Sequence, residues 1–576
     1  MKHFLLSIGL LLLGAWGPQR ARAQAPAWQS ARAVAVSVQA TTLDNSEVTA
    51  TAVDAAGNVY LAGNFTNVVL LGSTTLISRG GNDVFVAKLS PATNQIVWAR
   101  QIGDGGNDVA TALTVSGTSV YVAGSFASQS IDIGATTLFK VGYTSAFVAK
   151  LTDAGSTSSF AWALRAGGTE TDYATALAVS GTSVYMAGYF TSPTAGFGAI
   201  TLTKAGTGTS TADVFVAKLT DAGNTGSFVW AQRAGGTGDD KATALAMSGT
   251  SVYAAGSFAS ASATFGAATL ATAGTTDVFV TKMVDAGATG SFAWAQRAGG
   301  VNEDQATAVA VSGTSVFVAG SFRSATAGFG TNVLTNANPS TFTTDIFLAK
   351  LTDAGNTSSF VWAQRAGGAD QDYATVLAVS GTSVYMAGGF ESNTVGFGAT
   401  TLTNAGPSTR TTDVFVAKLT DAGSTGAFAW AQRAGGVSRE LPNTLTLSGT
   451  SLHVAGSFSS ATASFGSTNL TNPRPDFSSV GFLASLTDPT LTATAAGRAL
   501  APAQLFPNPA RRTVALRLPT GTAPAPLVLT DAQGRAVRRY PAPAAGTLET
   551  ALDLRGLPAG LYGLRGAGFS LRLQVE

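Results

Sequence analysis

The chain is 576 residues long with a formal net charge of +2; 11% of its residues are charged, 45% are hydrophobic, and none is cysteine. The missing cysteine excludes disulfides, thiol chemistry and zinc–cysteine sites. Residues 1–23 contribute +3 and the segment from 503 contributes +5, so the remainder carries −6, which removes the main support for a nucleic-acid or anionic-membrane partner.

Residues 1–23 combine Lys2, an apolar run from Phe4 to Trp16 and the small-residue pattern Ala21-Arg22-Ala23, with cleavage expected before Gln24. That is the pattern of a secretory signal peptide, too short and wrongly flanked for a membrane anchor. No transmembrane segment is expected elsewhere.

Tryptophan then returns at Trp28, Trp98, Trp162, Trp230, Trp294, Trp362 and Trp430, at intervals of 70, 64, 68, 64, 68 and 68 residues. Near-verbatim text surrounds it, as in FVWAQRAGG at 228–236 and 360–368. A fixed period of this length marks one supersecondary module that buries its apolar face by stacking on its neighbours. One module reads from 172 to 235. DYATALAVSGTSVYMAGYF is two alternating strands, A and B, joined by a Ser-Gly-Thr-Ser turn. A loop of about twenty residues, carrying Phe197-Gly198 and Leu202, separates them from a C strand (213–220) and a D strand (227–235). Four short antiparallel strands per module form a propeller blade.

The C strand recurs seven times, from DVFVAKLS at 83 to VGFLASLT at 480, but only six D strands follow one. The seventh, AWQSARAVAV at 27–36, stands ahead of the first hairpin. Ring closure is the simplest solution, because it removes the exposed edges that an open array would leave. The fold expected for residues 24–490 is therefore all-β, a seven-bladed β-propeller closed by an N-terminal strand. Packing between sheets is expected for the tryptophans and for Phe85, Phe147, Phe215, Phe279, Phe347, Phe415 and Phe482. Lys88, Lys150, Lys218, Lys282, Lys350 and Lys418 are expected at turns and edges, and Ser485 replaces this lysine in the last unit.

Residues 491–502 read as a linker. Behind it lies a Pro- and Arg-rich tail without lysine, residues 503–576, whose strands between Gly, Pro and Asp turns predict a small β-sandwich. The tail resembles the type A C-terminal sorting domain of the type IX secretion system of certain Gram-negative bacteria. The resemblance rests on Pro507-Asn508-Pro509, a turn from Asp531 to Gly534, Leu557-Pro558-Ala559-Gly560-Leu561-Tyr562 and a final apolar strand, in the family's order. Leu561 stands where that family more usually has valine. The resemblance implies Sec export to the periplasm, reading of the tail by the translocon and its removal by a sorting protease. The product is then released or held at the outer cell surface. The repeats, with VYVAGSF and DVFVAKL cores, resemble the bacterial seven-bladed β-propeller repeat.

Chemistry is sparse. Past the signal segment the only histidine is His453, in a B strand where other units have Tyr or Phe, and a structural role is expected for it. GDGGND at 103–108 lacks the Gly-Lys-Ser/Thr of a phosphate loop. Counting back twelve residues from each B strand lands on Glu47, Asp108, Asp172, Asp240, Asp304, Asp372 and Glu440. Such a ring of acids at the channel mouth would hold calcium or contact a sugar. Alternatively each acid caps the backbone N–H groups of its own loop, the reading that repetition in every unit favours. No metal and no cofactor are expected. Departures from the repeat are mostly Ser, Thr, Asn and Pro, so the expected function is binding or scaffolding by a monomer facing a glycan or protein ligand, and not an enzyme. The alternative is an extracellular, glycoside hydrolase-like enzyme using an acid pair.

Overall fold

The computed structural model describes residues 26–37, 44–208, 210–339, 343–406, 411–475, 478–491, 504–506, 508–517, 526–531, 535–543, 549–566 and 569–576. The expected signal segment, with Ala21, Ala23 and Gln24, and most of the expected linker lie outside these residues. Every regular element among the described residues is a β-strand. The chain divides into two compact units, residues 1–492 and 493–576.

Alternating Val, Tyr, Phe and Ala make each repeat an antiparallel sheet in A-B-C-D order. In the third repeat the strands are Asp172–Ser180, Ser183–Phe190, Asp213–Asp221 and Gly226–Ala234. The A–B turn is two residues long, closed by the Ser180↔Ser183 pair, and Gly181 supplies the positive φ (60°) that such turns need. Among the described residues this strand order occurs seven times. In the last sheet, Glu440–Ser448, Ser451–Phe458 and Val480–Thr487 are completed by Trp28–Val34, with Ser30 opposite Ser485 and Val34 opposite Gly481.

The core lies between successive sheets. Tyr121, Val148 and Trp162 of the second sheet cluster with Val184, Met186 and Phe215 of the third. Val34, Ala455 and Leu483 of the seventh sheet cluster in the same way with Leu61, Phe65 and Phe85 of the first. Each fully buried side chain of this size contributes about 1.5–3 kcal/mol. Inner strands are also stitched together by side chains. Thr111, Thr175, Thr243 and Thr307 each donate a hydroxyl to a carbonyl of the next A strand, those of Ala174, Ala242, Ala306 and Ala374, at 2.7–2.9 Å. Between the last A strand and the first, Asn443 Nδ2 donates to Val48 O at 2.9 Å and Thr51 and Thr444 share a 2.8 Å hydroxyl contact.

Two expectations are corrected. The B–C loop is not irregular: Thr194–Phe197 and Ile200–Thr203 form a hairpin, and its counterpart occurs in every repeat. Phe197 of that hairpin is buried against Phe215 at 4.9 Å and Phe228 at 5.5 Å between ring centroids. The apolar content of the loop is thus spent on packing. The recurring lysines are not turn or edge residues either. They are buried, as the seams between sheets show below.

The second unit places strands 504–506, 513–517 and 549–553 in one sheet, and 536–540, 527–530, 560–566 and 569–575 in another. Val514, Leu516 and Leu552 of the first sheet share one core with Leu527, Leu529, Leu564 and Leu573 of the second.

Candidate functional site

The repeated acids sit where each A strand begins, and they face their own loops. Asp240 accepts from Gly236 N at 2.7 Å, Ala259 N at 3.1 Å, Ser260 N at 3.2 Å and Ser260 Oγ at 2.6 Å. Asp108, Asp172, Asp304 and Asp372 accept from the same kinds of donor, and Glu440 from Gly436 N and Ser460 N. All six are at most 1% exposed. A carboxylate this saturated and this buried has little left to offer a ligand. None of the six lines the cavity of about 320 Å³ where the inner strands meet, which is bordered by Thr49, Thr111, Thr175, Thr307, Thr375 and Asn443 among others.

Glu47 does not belong with the six. Asp108 pairs with Phe126 and Asp172 with Phe190, but the residue opposite Phe65 is Ser46. Glu47 lies one position on and accepts from Asn64 Nδ2 at 3.0 Å. The first A–B turn has a different length, so counting back from the B strand slips by one. Among the described residues, no group of three or more His, Cys, Asp or Glu is placed to hold a metal ion.

Burial pushes the carboxyls of Asp172, Asp240, Asp304 and Glu440 above their ordinary range, and that of Asp372 to about 7, against the opposing pull of their N–H and O–H donors. A second buried acid begins several C strands: Asp213, Asp277, Asp345 and Asp413 pair with Arg233, Arg297, Arg365 and Arg433 at 2.6–2.8 Å. Gly235 separates the two kinds. A Cβ there would meet Asp240 Oδ2 at 2.7 Å and Asp213 Oδ1 at 3.1 Å, and its φ is +130°. The Ala-Gly-Gly text of the repeat thus serves the carboxylates.

The seams between sheets hold what the sequence reading missed. Asp153, at the end of the second C strand, reaches into the first sheet. There it accepts from Lys88 Nζ at 2.6 Å, Tyr60 OH at 2.6 Å and Trp98 Nε1 at 2.9 Å. Lys150–Asp221, Lys218–Asp285, Lys282–Asp353, Lys350–Asp421 and Lys418–Asp488 repeat the ion pair at 2.6–3.0 Å, with side chains 3–9% exposed. Burial raises the Asp153 carboxyl, but donation from Lys88, Tyr60, Trp98 and Gly155 outweighs it and leaves the group below its ordinary range. The sequence prints Asp-Ala-Gly after most of these lysines, but nothing local ties that aspartate to the lysine of the preceding repeat.

The seam between the seventh sheet and the first carries none of this. His453 stands in the tyrosine position, Ser485 in the lysine position, and Pro91 where Asp153 and its counterparts lie. His453 Nδ1 is 2.8 Å from Ser485 Oγ, and burial lowers the imidazole to about 4. A cavity of about 220 Å³ opens here, lined by Arg32, Asn94, His453, Ser485, Leu483 and Pro91 among others.

Among the described residues of the first unit, the exposed large apolar side chains lie on B–C segments (Leu70, Ile77, Phe139, Val141, Tyr143, Val333) and on D–A loops (Val301, Val437). In the second unit one motif residue holds the chain end and another closes its own turn. Asn508 Oδ1 accepts from Gln574 N at 2.9 Å, and the Tyr562 hydroxyl donates to Pro558 O at 2.7 Å across the Leu557–Gly560 turn. Pro509 follows Asn508 in the same exposed bend, and Pro507 and Gly534 lie outside the described residues.

Neither a protein-family model nor a curated protein matches this chain. Among solved structures it is similar to a fungal alcohol oxidase of the AA5 family in complex with copper, at 12% identity and a TM-score of 0.40, covering 96% of this chain and 99% of that one. It is also similar to a protein assigned as a 6-phosphogluconolactonase from Bacteroides uniformis ATCC 8492, at 10% identity and a TM-score of 0.35, covering 72% and 96%. The chain is an all-β protein of repeated antiparallel sheets, β-propeller-like in its repeat. Both neighbours are enzymes by description, which runs against the expectation that this chain is not one, and that expectation is withdrawn. At these TM-scores neither likeness assigns an activity or a cofactor.

Proposed function

We propose that this chain is a secreted or cell-surface protein in which a closed seven-bladed β-propeller presents a loop face to extracellular ligands, and that residues 503–576 are its sorting domain for type IX secretion. Three observations support the ring: seven sheets of one strand order, the pairing of Trp28–Val34 with the last C strand, and the stitches between the last A strand and the first. A glycan or protein ligand would meet the exposed apolar residues of the B–C and D–A segments, where aromatic and aliphatic side chains stand free of the core.

The observation that carries the export reading is the use made of the tail's motif residues. Asn508 fastens the two ends of a separate compact unit, and Tyr562 closes the Leu557–Gly560 turn within it, in a unit that shares no repeat with the rest of the chain. A domain read by a translocon and then removed by a protease needs that independence. Removing 503–576 should leave the repeats folded but trap them in the periplasm of a bacterium with this secretion system. Fusing 503–576 to a periplasmic reporter should carry the reporter to the surface. Normal surface levels of the truncated protein would overturn the export reading.

A further inference from the structure

The last seam differs from the other six in what it lacks. In each of those six, a protein carboxylate fills the space between sheets and accepts hydrogen bonds from lysine and, in most, from tryptophan and tyrosine. At the last seam the carboxylate is gone, because Pro91 has replaced it, and the lysine and tyrosine have shrunk to Ser485 and His453. The vacated space is the 220 Å³ cavity. Its donors remain.

Arg32 is the decisive one. It occupies the D-strand position that Arg100 holds in the first sheet, opposite Leu483 as Arg100 is opposite Val86. Arg100 Nε donates to Ser158 O at 3.1 Å. Arg32 places Nη1 on Asn94 O at 2.8 Å, but its buried Nε has no partner, and among the described residues no carboxylate pairs with it. A buried guanidinium N–H without an acceptor is costly, and an anion relieves the cost. No acidic residue lines the cavity, while buried Val59, Leu89 and Leu483 form an apolar wall.

We propose that this seam binds a small organic carboxylate, its anion taken by the Arg32 guanidinium with Ser485 and His453 beside it, and its hydrocarbon part laid on Val59, Leu89 and Leu483. The ligand carboxylate stands in for the aspartate that the other seams build in. His453 is uncharged at neutral pH because burial lowers it to about 4, so Arg32 supplies the charge.

The test is calorimetric titration of the full chain with acetate, butyrate, hexanoate and benzoate, with butanol, butylamine and inorganic phosphate as controls. Saturable binding is expected for the longer carboxylates and for none of the controls. Arg32→Gln should weaken it at least about tenfold while leaving the melting curve in place. The triple variant Pro91→Asp/His453→Tyr/Ser485→Lys, which installs what the other seams contain, should abolish it. If Arg32→Gln fails to fold, that triple variant alone decides. Absence of saturable binding by every carboxylate, equal binding of butylamine or phosphate, or undiminished binding in the seam-filled variant would each overturn the proposal.

Discussion

Six seams of the repeat unit are held by a buried lysine–aspartate pair, and the seventh, which joins the two ends of the first unit's chain, is held without one. The six are interchangeable: each uses a residue of one repeat and a residue of the next, so a single sequence pattern writes them all. The seventh departs from it in its own residues, His453, Ser485 and Pro91, and its outer strand comes from the other end of the chain. Its cohesion comes from a paired strand, an apolar cluster and two polar stitches. The comparison teaches that the ion pair is a device of repetition and not a requirement for packing two such sheets. Where it is dropped, the space becomes available for something else.

The harshest way to break the comparison is to remove the strand that only the seventh seam uses. Deleting residues 26–37 should cost more than ~5 kcal/mol, since losing a buried tryptophan such as Trp28 alone costs ~3–5 kcal/mol. Aggregation through the bared edge of Val480–Thr487 should accompany it. An unchanged melting curve would show that the strand is dispensable.

A finer contrast sets one seam against another. Asp353→Ala leaves Lys282, Tyr253 and Trp294 with unsatisfied buried donors and should cost ~3–5 kcal/mol in urea denaturation. Ser485→Ala, at the matching lysine position of the last seam, should cost about 1 kcal/mol. Equal losses would mean that the two kinds of seam are energetically alike.

The smallest effect is in pH. Asp153, Asp221, Asp285, Asp353 and Asp488 are held below their ordinary range, so their contribution is present above the unfolded value near 3.8 and is lost as pH falls through the folded values. Asp172, Asp240, Asp304, Asp372 and Glu440 are raised by burial. Their contribution is full below the unfolded value and is lost as pH rises through the folded values, about 7 for Asp372. Opposed sets predict a melting temperature that peaks in mild acid and falls on both sides. His453, lowered to about 4, destabilises the fold below its unfolded value near 6.5 and so opposes part of the fall between about pH 4 and 6.5. Asp372→Asn should flatten the alkaline side only. A profile that keeps rising from pH 5 to pH 8 would refute the assignment.

How much of this was legible follows from the kind of interaction. The displaced D strand was readable because a missing tryptophan leaves a gap in a period, and Trp28 fills it. The B–C hairpins were not, because two strands of four residues around Gly198 are shorter than the alternation needed to separate strand from loop. The lysine–aspartate pairs were hidden for another reason. Each joins residues 65–71 apart, and burial of lysine is rare enough that a surface position was the natural expectation. The six capping acids were read with their alternative beside them. The first repeat misled, because its A–B turn shifts the count from Ser46 to Glu47.

The pairing of Trp28–Val34 with Val480–Thr487 also sets an order of events. A chain that emerges with its N-terminus leading presents this strand first and its partner nearly last. Closing so long a loop is inexpensive at equilibrium, since each doubling of length adds only about 0.6 kcal/mol. It is slow in time, because contacts remote in sequence form late. Until then the strand is an unpaired edge, and its polar face, with Gln29 and Ser30 exposed and Arg32 half-exposed, makes that wait safer against pairing with a stranger. The residue that disfavours premature partners during maturation is the same guanidinium that faces the cavity afterwards.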